Sequence, residues 1–238
     1  MPGRIGGQAN LSGRTLEIAS AADIMLRPGE VILTFDDGPR EGKTSAILDT
    51  LDKHGVKATF LMLGSAAKAN PQLARSVADR GHTIGSHTYN HVDLTTLTRQ
   101  QAMDEIVRGE IAVSDALAGA GQGLSPFFRF PYLSQTSYLR TSLSQSDMVV
   151  LDVDIDSKDY YKDPAWVVAE RTLAQLEQRG SGIILFHDIH QRTVDLLPAF
   201  LDELAAGGYK VVRLVPGKSG IFGRSMITAQ APSPAAGF

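Results

Sequence analysis

Short apolar segments alternate with amphipathic ones along most of this chain, and this alternation restricts the fold more than any other feature of the sequence. The apolar segments are four to six residues long and are bounded by turn-forming residues, which is typical of buried strands. The predicted strands cover residues 31–35, 58–63, 83–86, 127–130, 148–153, 182–186 and 209–214. Strands that alternate with helices predict an α/β fold, in which about seven parallel strands are closed or partly closed into a barrel.

Helix signals fill the intervals between these strands. Thr98 and Gln101 fit a capping box that opens a long helix, and Pro71 is placed as the first residue of another helix with Asn70 as its N-cap. The predicted helices cover residues 44–54, 71–80, 98–118, 163–180 and 196–206. Residues 29–216 therefore read as one domain, preceded by a surface extension at 1–28 and followed by a flexible tail at 217–238.

The composition excludes several classes of protein. The 238 residues carry a net charge of −3 and include no cysteine, so neither a basic nucleic-acid surface nor a thiolate metal site is expected. No apolar run approaches the roughly 18 residues that span a membrane. The N-terminus lacks the apolar core of a signal peptide. We expect a periplasmic or extracellular protein if an export signal has been removed, and a cytoplasmic one if the chain is complete.

Two adjacent carboxylates, Asp36 and Asp37, end the first predicted strand and precede a Gly-Pro turn. Burying an unpaired charge is costly, so this doublet needs a partner. His87 and His91 follow another strand, and their spacing of four allows both rings to face one ion if the segment forms a helical turn. Asp37, His87 and His91 are then three ligands of a divalent metal. Asp36 remains available as a general base, whereas an Asp that only caps the turn is the alternative.

Further polar residues follow other strands. His187 ends an apolar strand and is placed as a general acid, although a histidine bonded to backbone is an equal alternative. Arg129 is expected to pair with the base or to orient a substrate. Four aspartates crowd residues 152–159, and Asp156 is the one we expect to orient His187. His54, His82 and His190 read as structural.

These motifs together resemble the NodB-homology polysaccharide deacetylases, which form carbohydrate esterase family four. The five motifs of that family correspond here, in order, to segments 34–39, 86–91, 129–132, 156–160 and 185–187. The resemblance implies that Arg129 steadies the base, that the Tyr132 backbone N–H stabilises an oxyanion, and that Leu185 contributes an apolar wall for an acetyl methyl group. It also implies a distorted (β/α) barrel. Tyr160 stands where the family usually has Trp, so the wall that faces the substrate differs.

The expected function is metal-dependent removal of N-acetyl groups from a GlcNAc-containing glycan such as peptidoglycan, chitin or a chito-oligosaccharide. Hydrolysis of an acetyl-xylan ester or a small amide on the same fold, and glycan binding without catalysis, are the alternatives. Zinc suits the three ligands best, and cobalt, nickel and manganese also fit them. No nucleic-acid partner and no membrane span are expected, and the oligomeric state cannot be read from the sequence.

Overall fold

The computed structural model describes residues 10–217, which form nine strands and seven helices. The strands are β1 Ser12–Ile18, β2 Glu30–Asp36, β3 Thr59–Met62, β4 Thr83–Ser86, β5 Phe127–Phe128, β6 Val149–Val150, β7 Ile155–Asp156, β8 Gly182–His187 and β9 Lys210–Pro216. The helices are α1 Thr44–Lys53, α2 Gly64–Ala69, α3 Pro71–Asp79, α4 Arg99–Ala116, α5 Ser137–Gln145, α6 Ala165–Arg179 and α7 Gln191–Ala206. None of these helices combines the length and the apolarity that crossing a bilayer requires.

Seven of the strands, β2 to β8, follow one another around a barrel in chain order. Parallel pairs join β2 to β3, β3 to β4, β4 to β5 and β5 to β6, while β7 pairs with β8 and β8 pairs with β2. Within residues 10–217 no pairing joins β6 to β7, so the barrel is open there. The prediction of a distorted parallel barrel is confirmed. However, the seventh strand of the barrel is β7, whereas residues 209–214 were predicted to form it. Strand β7 has only two residues, which are too few to show a periodicity in the sequence.

Strands β9 and β1 lie outside the ring and cover its amino-terminal end. Strand β9 pairs with the first residues of β2, through Glu30 with Lys210 and Val31 with Val211, and β1 pairs with β9. The prediction that residues 1–28 form a surface extension is therefore wrong for β1, which belongs to the sheet and buries Ile18. Residues 1–9 of that extension, and residues 218–238 of the predicted flexible tail, lie outside the described residues.

Side chains alternate between the two faces of β2, as the two-residue period of a strand requires. Leu33 and Phe35 point outward and pack with the helices in an outer cluster. Ile32 points inward and packs in an inner cluster with residues of β3, β5, β8 and β9. The same alternation places Asp36 on the inner face, at the carboxyl end of its strand. Strand-end polar groups thus meet inside the mouth of the barrel.

The helix signals are confirmed where capping chemistry is explicit. Gln101 N donates to Thr98 Oγ1 at 3.3 Å, and Thr98 N donates to Gln101 Oε1 at 3.1 Å, which completes the capping box. Helix α3 begins at Pro71. The last helix begins at Gln191, five residues before the predicted start, and continues through Pro198. Helices α2 and α5 were not predicted.

Candidate active site

A cavity of about 350 Å³ opens at the carboxyl ends of the barrel strands. Its walls come from the loops and strand ends after β2, β4, β5, β7 and β8. The lining residues are Asp36, Asp37, His87, His91, Phe130, Tyr132, Leu133, Asp156, Tyr160, Leu185, His187 and His190. Eight of the nine residues predicted for the site therefore line one cavity, and the ninth, Arg129, lies buried beneath it.

Asp37, His87 and His91 form a group that fits a metal ion, because one ligand atom from each lies within 4.8 Å of the others. Asp37 Oδ1 is 3.5 Å from His87 Nε2 and 3.4 Å from His91 Nε2. The same oxygen is buried and has no hydrogen-bond partner among the described residues. Burial lowers the pKa of His91, against the opposing charge of Asp37, which favours the neutral ring that binds metals. The three residues fit a divalent cation.

The orientation of His87 follows from its second nitrogen. Its Nδ1 lies 2.7 Å from the Arg129 carbonyl oxygen, to which an Nδ1–H donates. In the neutral ring this hydrogen bond makes Nε2, which faces Asp37, the nitrogen with a free lone pair, as is usual for a histidine that binds a metal. His87 is also almost fully buried, so its ring is held in place.

The loop that carries the two histidines is not helical, contrary to the expected helical turn. Thr88 and His91 have φ values of 70° and 58°, in the left-handed region, and these values bring the two rings to 5.0 Å. The N-terminus of α2 supports the loop, since Gly64 N donates to Thr88 O at 2.9 Å. Helix α4 approaches so closely that a Cβ on Gly109 would overlap the Thr88 carbonyl carbon. Only glycine allows this contact.

Asp36 is paired with Arg129 inside the barrel. Arg129 is 1% exposed, and its NH1 donates to Asp36 Oδ1 at 2.8 Å and to Thr34 Oγ1 at 2.8 Å. Arg129 Nε donates to the carbonyl oxygen of Leu151 at 3.1 Å. The guanidinium therefore fixes one oxygen of Asp36, while Oδ2 lies 3.8 Å from His87 Nε2. Of the two roles expected for Arg129, the structure shows the contact with Asp36.

His187 is oriented by Asp159. His187 Nδ1–H donates to Asp159 Oδ1 at 2.6 Å, and the His187 backbone N–H donates to Asp159 Oδ2 at 2.7 Å. Thr193 also donates to Asp159 Oδ2, at 2.6 Å. Burial alone would lower the pKa of His187, but the hydrogen bond and charge of Asp159, with the charges of Asp36 and Asp37, raise it to about 9. His187 is then an imidazolium at neutral pH.

The prediction that Asp156 orients His187 is therefore wrong. Asp156 ends β7 and faces the cavity, where it accepts hydrogen bonds from Lys158 N and the Tyr160 hydroxyl, each at 2.9 Å. Lys158 has a φ of 55° and turns the chain, so Asp159, three residues after Asp156, lies buried beneath His187. Burial and Asp156 together raise the pKa of the Tyr160 hydroxyl, which keeps it a donor.

His190 also lines the cavity, although its pattern suggested a structural role. Its ring lies 5.8 Å from the ring of His187. The two other histidines are held away from the cavity by local contacts. His82 Nδ1 accepts from Ala58 N at 3.1 Å, and His54 Nδ1 lies 2.8 Å from Thr50 O.

A sequence profile described as polysaccharide deacetylase matches residues 25–151. This segment is more than half of the 238 residues. The chain belongs to the polysaccharide deacetylase family. The resemblance drawn from the five motifs is thereby confirmed. His187 and Asp159 lie beyond the segment that the profile matches, so the evidence for their pairing comes from the structure.

Relatives and solved structures agree with this membership. The peptidoglycan-N-acetylglucosamine deacetylase PgdA of Listeria monocytogenes is 32% identical over 184 residues, which cover 77% of this chain and 38% of that protein. The chitin deacetylase of Colletotrichum lindemuthianum is 33% identical over 199 residues, which cover 78% of each protein. The peptidoglycan deacetylase structure from Bdellovibrio bacteriovorus superposes with a TM-score of 0.81 at 33% identity, covering 92% of this chain and 63% of that one. The deacetylase-family chain thus spans less than half the length of the Listeria relative.

Proposed function

We propose that this protein is a metal-dependent hydrolase that removes N-acetyl groups from GlcNAc-containing glycans and releases acetate. The observation that carries the proposal is the placement of a carboxylate and an imidazolium, Asp36 and His187, in one cavity with a three-residue metal site. A base and an acid beside a cation are the groups that amide hydrolysis needs.

Asp36 is the general base of this mechanism. A divalent cation held by Asp37, His87 and His91 would supply Lewis acidity, which acidifies water and polarises the acetyl carbonyl. Asp36 takes the proton from the attacking water with the oxygen that Arg129 leaves free. Because Arg129 holds the other oxygen at 2.8 Å, the carboxylate is aimed before the substrate arrives, and no reorganisation is needed during the reaction.

His187 is the general acid. Addition of water to the acetyl carbon forms a C–O bond, and breakage of the C–N bond requires a proton on the departing nitrogen, which His187 supplies. The products are acetate and a free amine on the sugar. An amine leaves only after protonation, so an acid with a pKa of about 9 suits an amide substrate better than an ester.

Two further residues complete the proposed site. The Tyr132 backbone N–H is proposed to donate to the developing oxyanion, and Tyr132 holds a left-handed φ of 58° with its ring 4.5 Å from that of His91. Leu185 lies on the inward face of β8, two residues before His187, and lines the cavity. It is proposed to contact the acetyl methyl group.

For the substrate we propose a class, the glycans that contain N-acetylglucosamine, and for the cofactor a divalent metal ion. The Listeria relative is named for peptidoglycan and the Colletotrichum relative for chitin, and both polymers contain N-acetylglucosamine. Zinc is the proposed ion because two imidazoles and one carboxylate leave a fourth position open for water, as in catalytic zinc sites. Cobalt, nickel and manganese accept the same donors.

The test is acetate release from N-acetylchitopentaose by the purified protein, before and after a strong chelator, with zinc or cobalt added back. We expect release that stops with the chelator and returns with the metal. The variant Asp36→Asn should abolish release and still bind metal, since Asp36 is not among the three ligands. Release from acetyl-xylan alone would show an esterase instead. Binding of the oligosaccharide without acetate release under any metal would show a non-catalytic glycan-binding protein.

A further inference from the structure

A buried carboxyl group, that of Asp188, lies against the loop that carries the metal ligand Asp37. Asp188 directly follows His187 in the chain and is 1% exposed. It belongs neither to the three metal ligands nor to the pair of groups that transfer protons. Removing a carboxyl group from water is costly unless the group makes compensating contacts, so the contacts of Asp188 indicate what it does.

The Asp188 side chain joins the end of β8 to the loop after β2. Its Oδ2 accepts a hydrogen bond from the Thr44 hydroxyl at 2.6 Å. Thr44 Oγ1 in turn accepts from Arg40 N at 2.7 Å. Both carboxyl oxygens also lie against Gly38, where an added Cβ would overlap them. Glycine is therefore required at position 38 by space, because any side chain there would displace the carboxyl group.

The residue before Gly38 is the metal ligand Asp37, and its φ of 78° lies in the left-handed region. This conformation is uncommon for residues other than glycine, and the surrounding structure has to hold it. On the side of β3, Asp37 N donates to Leu61 O at 3.2 Å. Gly38 O accepts there from Leu63 N, also at 3.2 Å. Strand β8 lies on the other side of β2, and on that side the Asp188 side chain supplies the contact.

Asp188 also connects this turn to the two groups that transfer protons. Its backbone N donates to the carbonyl oxygen of Asp36 at 3.3 Å, next to the position where Asp36 pairs with His187. The backbone of Asp188 is thus fixed to the general base, and its side chain contacts the turn of Asp37. A displaced carboxyl group would therefore shift the metal ligand relative to the acid and the base.

We propose that Asp188 and Thr44 are positioning residues for the metal ligand Asp37. Their hydrogen bond fixes the turn after β2, and this sets the place of the Asp37 carboxylate relative to the two histidine ligands. The inference rests on the proposed function, since it takes Asp37 to hold a cation. The alternative is a carboxyl group that stabilises only the start of α1, because a negative charge suits the N-terminus of a helix.

The test compares metal affinity in variants that differ by one polar group. Thr44→Val keeps the shape of the side chain and removes the hydroxyl, whereas Thr44→Ser keeps the hydroxyl. Each protein is freed of metal with a chelator and titrated with zinc by calorimetry. We expect Thr44→Val to bind zinc about three- to tenfold more weakly and Asp188→Ala about tenfold more weakly. Thr44→Ser should bind like the unaltered protein, and Asp188→Asn, whose amide oxygen still accepts from Thr44, should recover most of the loss.

Thr172→Val is the matched control. Thr172 and Thr44 are both 0% exposed, and the Thr172 hydroxyl donates to Val168 O at 2.7 Å within α6. Val168 packs in the outer cluster, so the control removes a buried hydroxyl without touching the turn of Asp37. The visible spectrum of the cobalt-loaded protein gives an independent readout, because its bands depend on the geometry of the ligands. We expect the bands to shift in Thr44→Val and to stay in place in Thr172→Val.

Unchanged zinc affinity and an unchanged cobalt spectrum in a folded Thr44→Val protein overturn the proposal, and a lowered melting temperature would then show a role in stability alone. An equal loss of affinity in Thr172→Val also overturns it, since the effect would be general. If Asp188→Ala does not fold, the comparison of Thr44→Val with Thr44→Ser decides. These measurements need no substrate, so absence of acetate release from the zinc-loaded protein refutes the proposed function and leaves the positioning role to be decided by affinity.

Discussion

The hydrogen bond between Asp159 and His187 predicts a large shift in the pH dependence of catalysis. Replacing Asp159 by Asn keeps the shape of the side chain but removes the negative charge that raises the pKa of His187 to about 9. Burial, which acts in the opposite direction, is then opposed only by the charges of Asp36 and Asp37, and the pKa should fall to about the ordinary value of 6.5. At pH 8 the protonated fraction of His187 should fall from about 90% to about 3%, roughly 30-fold.

The assay is the pH profile of kcat/KM for acetate release. A general acid acts only when protonated, so activity is lost as pH rises through the pKa of His187, and Asp159→Asn should move this alkaline limb down by two pH units or more. Loading both proteins with the same metal makes the contribution of the cation common to both. Asp156→Asn is the control, because Asp156 makes no hydrogen bond to His187 and its loss should leave the alkaline limb in place. An unmoved limb in a folded Asp159→Asn protein would refute the assignment of His187 as the acid.

Three further outcomes follow from buried groups. Arg129→Met leaves Asp36 buried without its cation, and should lower the free energy of unfolding by about 3–5 kcal/mol in denaturant titration, with loss of acetate release. His82 is buried, and burial lowers its pKa from 6.5 to about 3. Between pH 3 and pH 6.5, His82 is therefore protonated in the unfolded chain and neutral in the folded protein. Stability should therefore fall by about 1.4 kcal/mol for each unit that pH decreases below 6.5, and His82→Gln should remove that part of the slope measured by pH-dependent melts. Gly109→Ala should push against Thr88, weaken metal affinity measured by calorimetry, and cost about 1–3 kcal/mol of stability; unchanged affinity would show that the metal loop does not depend on this contact.

The residues that follow strand ends were predictable from the sequence, because apolar strands separated by helices place their carboxyl ends at one end of a barrel. Asp36, Asp37, His87 and His187 all follow from this rule. The partner of His187 does not. Four aspartates lie between residues 152 and 159, and burial, which depends on the turn at Lys158, distinguishes Asp159 from the rest.

Strand β7 and segments with mixed polarity were the other limits. Strand β7 has no periodicity to detect, and β1 shows only a weak alternation, because one of its edges pairs with β9 while most of its side chains stay partly exposed. The role of His190 was missed because its place in the cavity depends on where α7 begins. Tertiary contacts determine these features, and such contacts cannot be inferred from the local pattern of a single sequence.

The cover formed by β1 and β9 has a consequence for where this domain can be cut. Ile18 of β1 joins Val212 and Leu214 of β9 in the inner cluster, against Ile32 and Leu61 of the barrel. A chain trimmed at residue 28, where composition alone puts the boundary, would lack β1 and its contacts with the inner cluster. The edge of β9 that pairs with β1 would then be exposed, and an exposed strand edge is a template for aggregation. The smallest unit that keeps the barrel closed to water at its base therefore begins before Leu11, more than twenty residues upstream of the first catalytic motif.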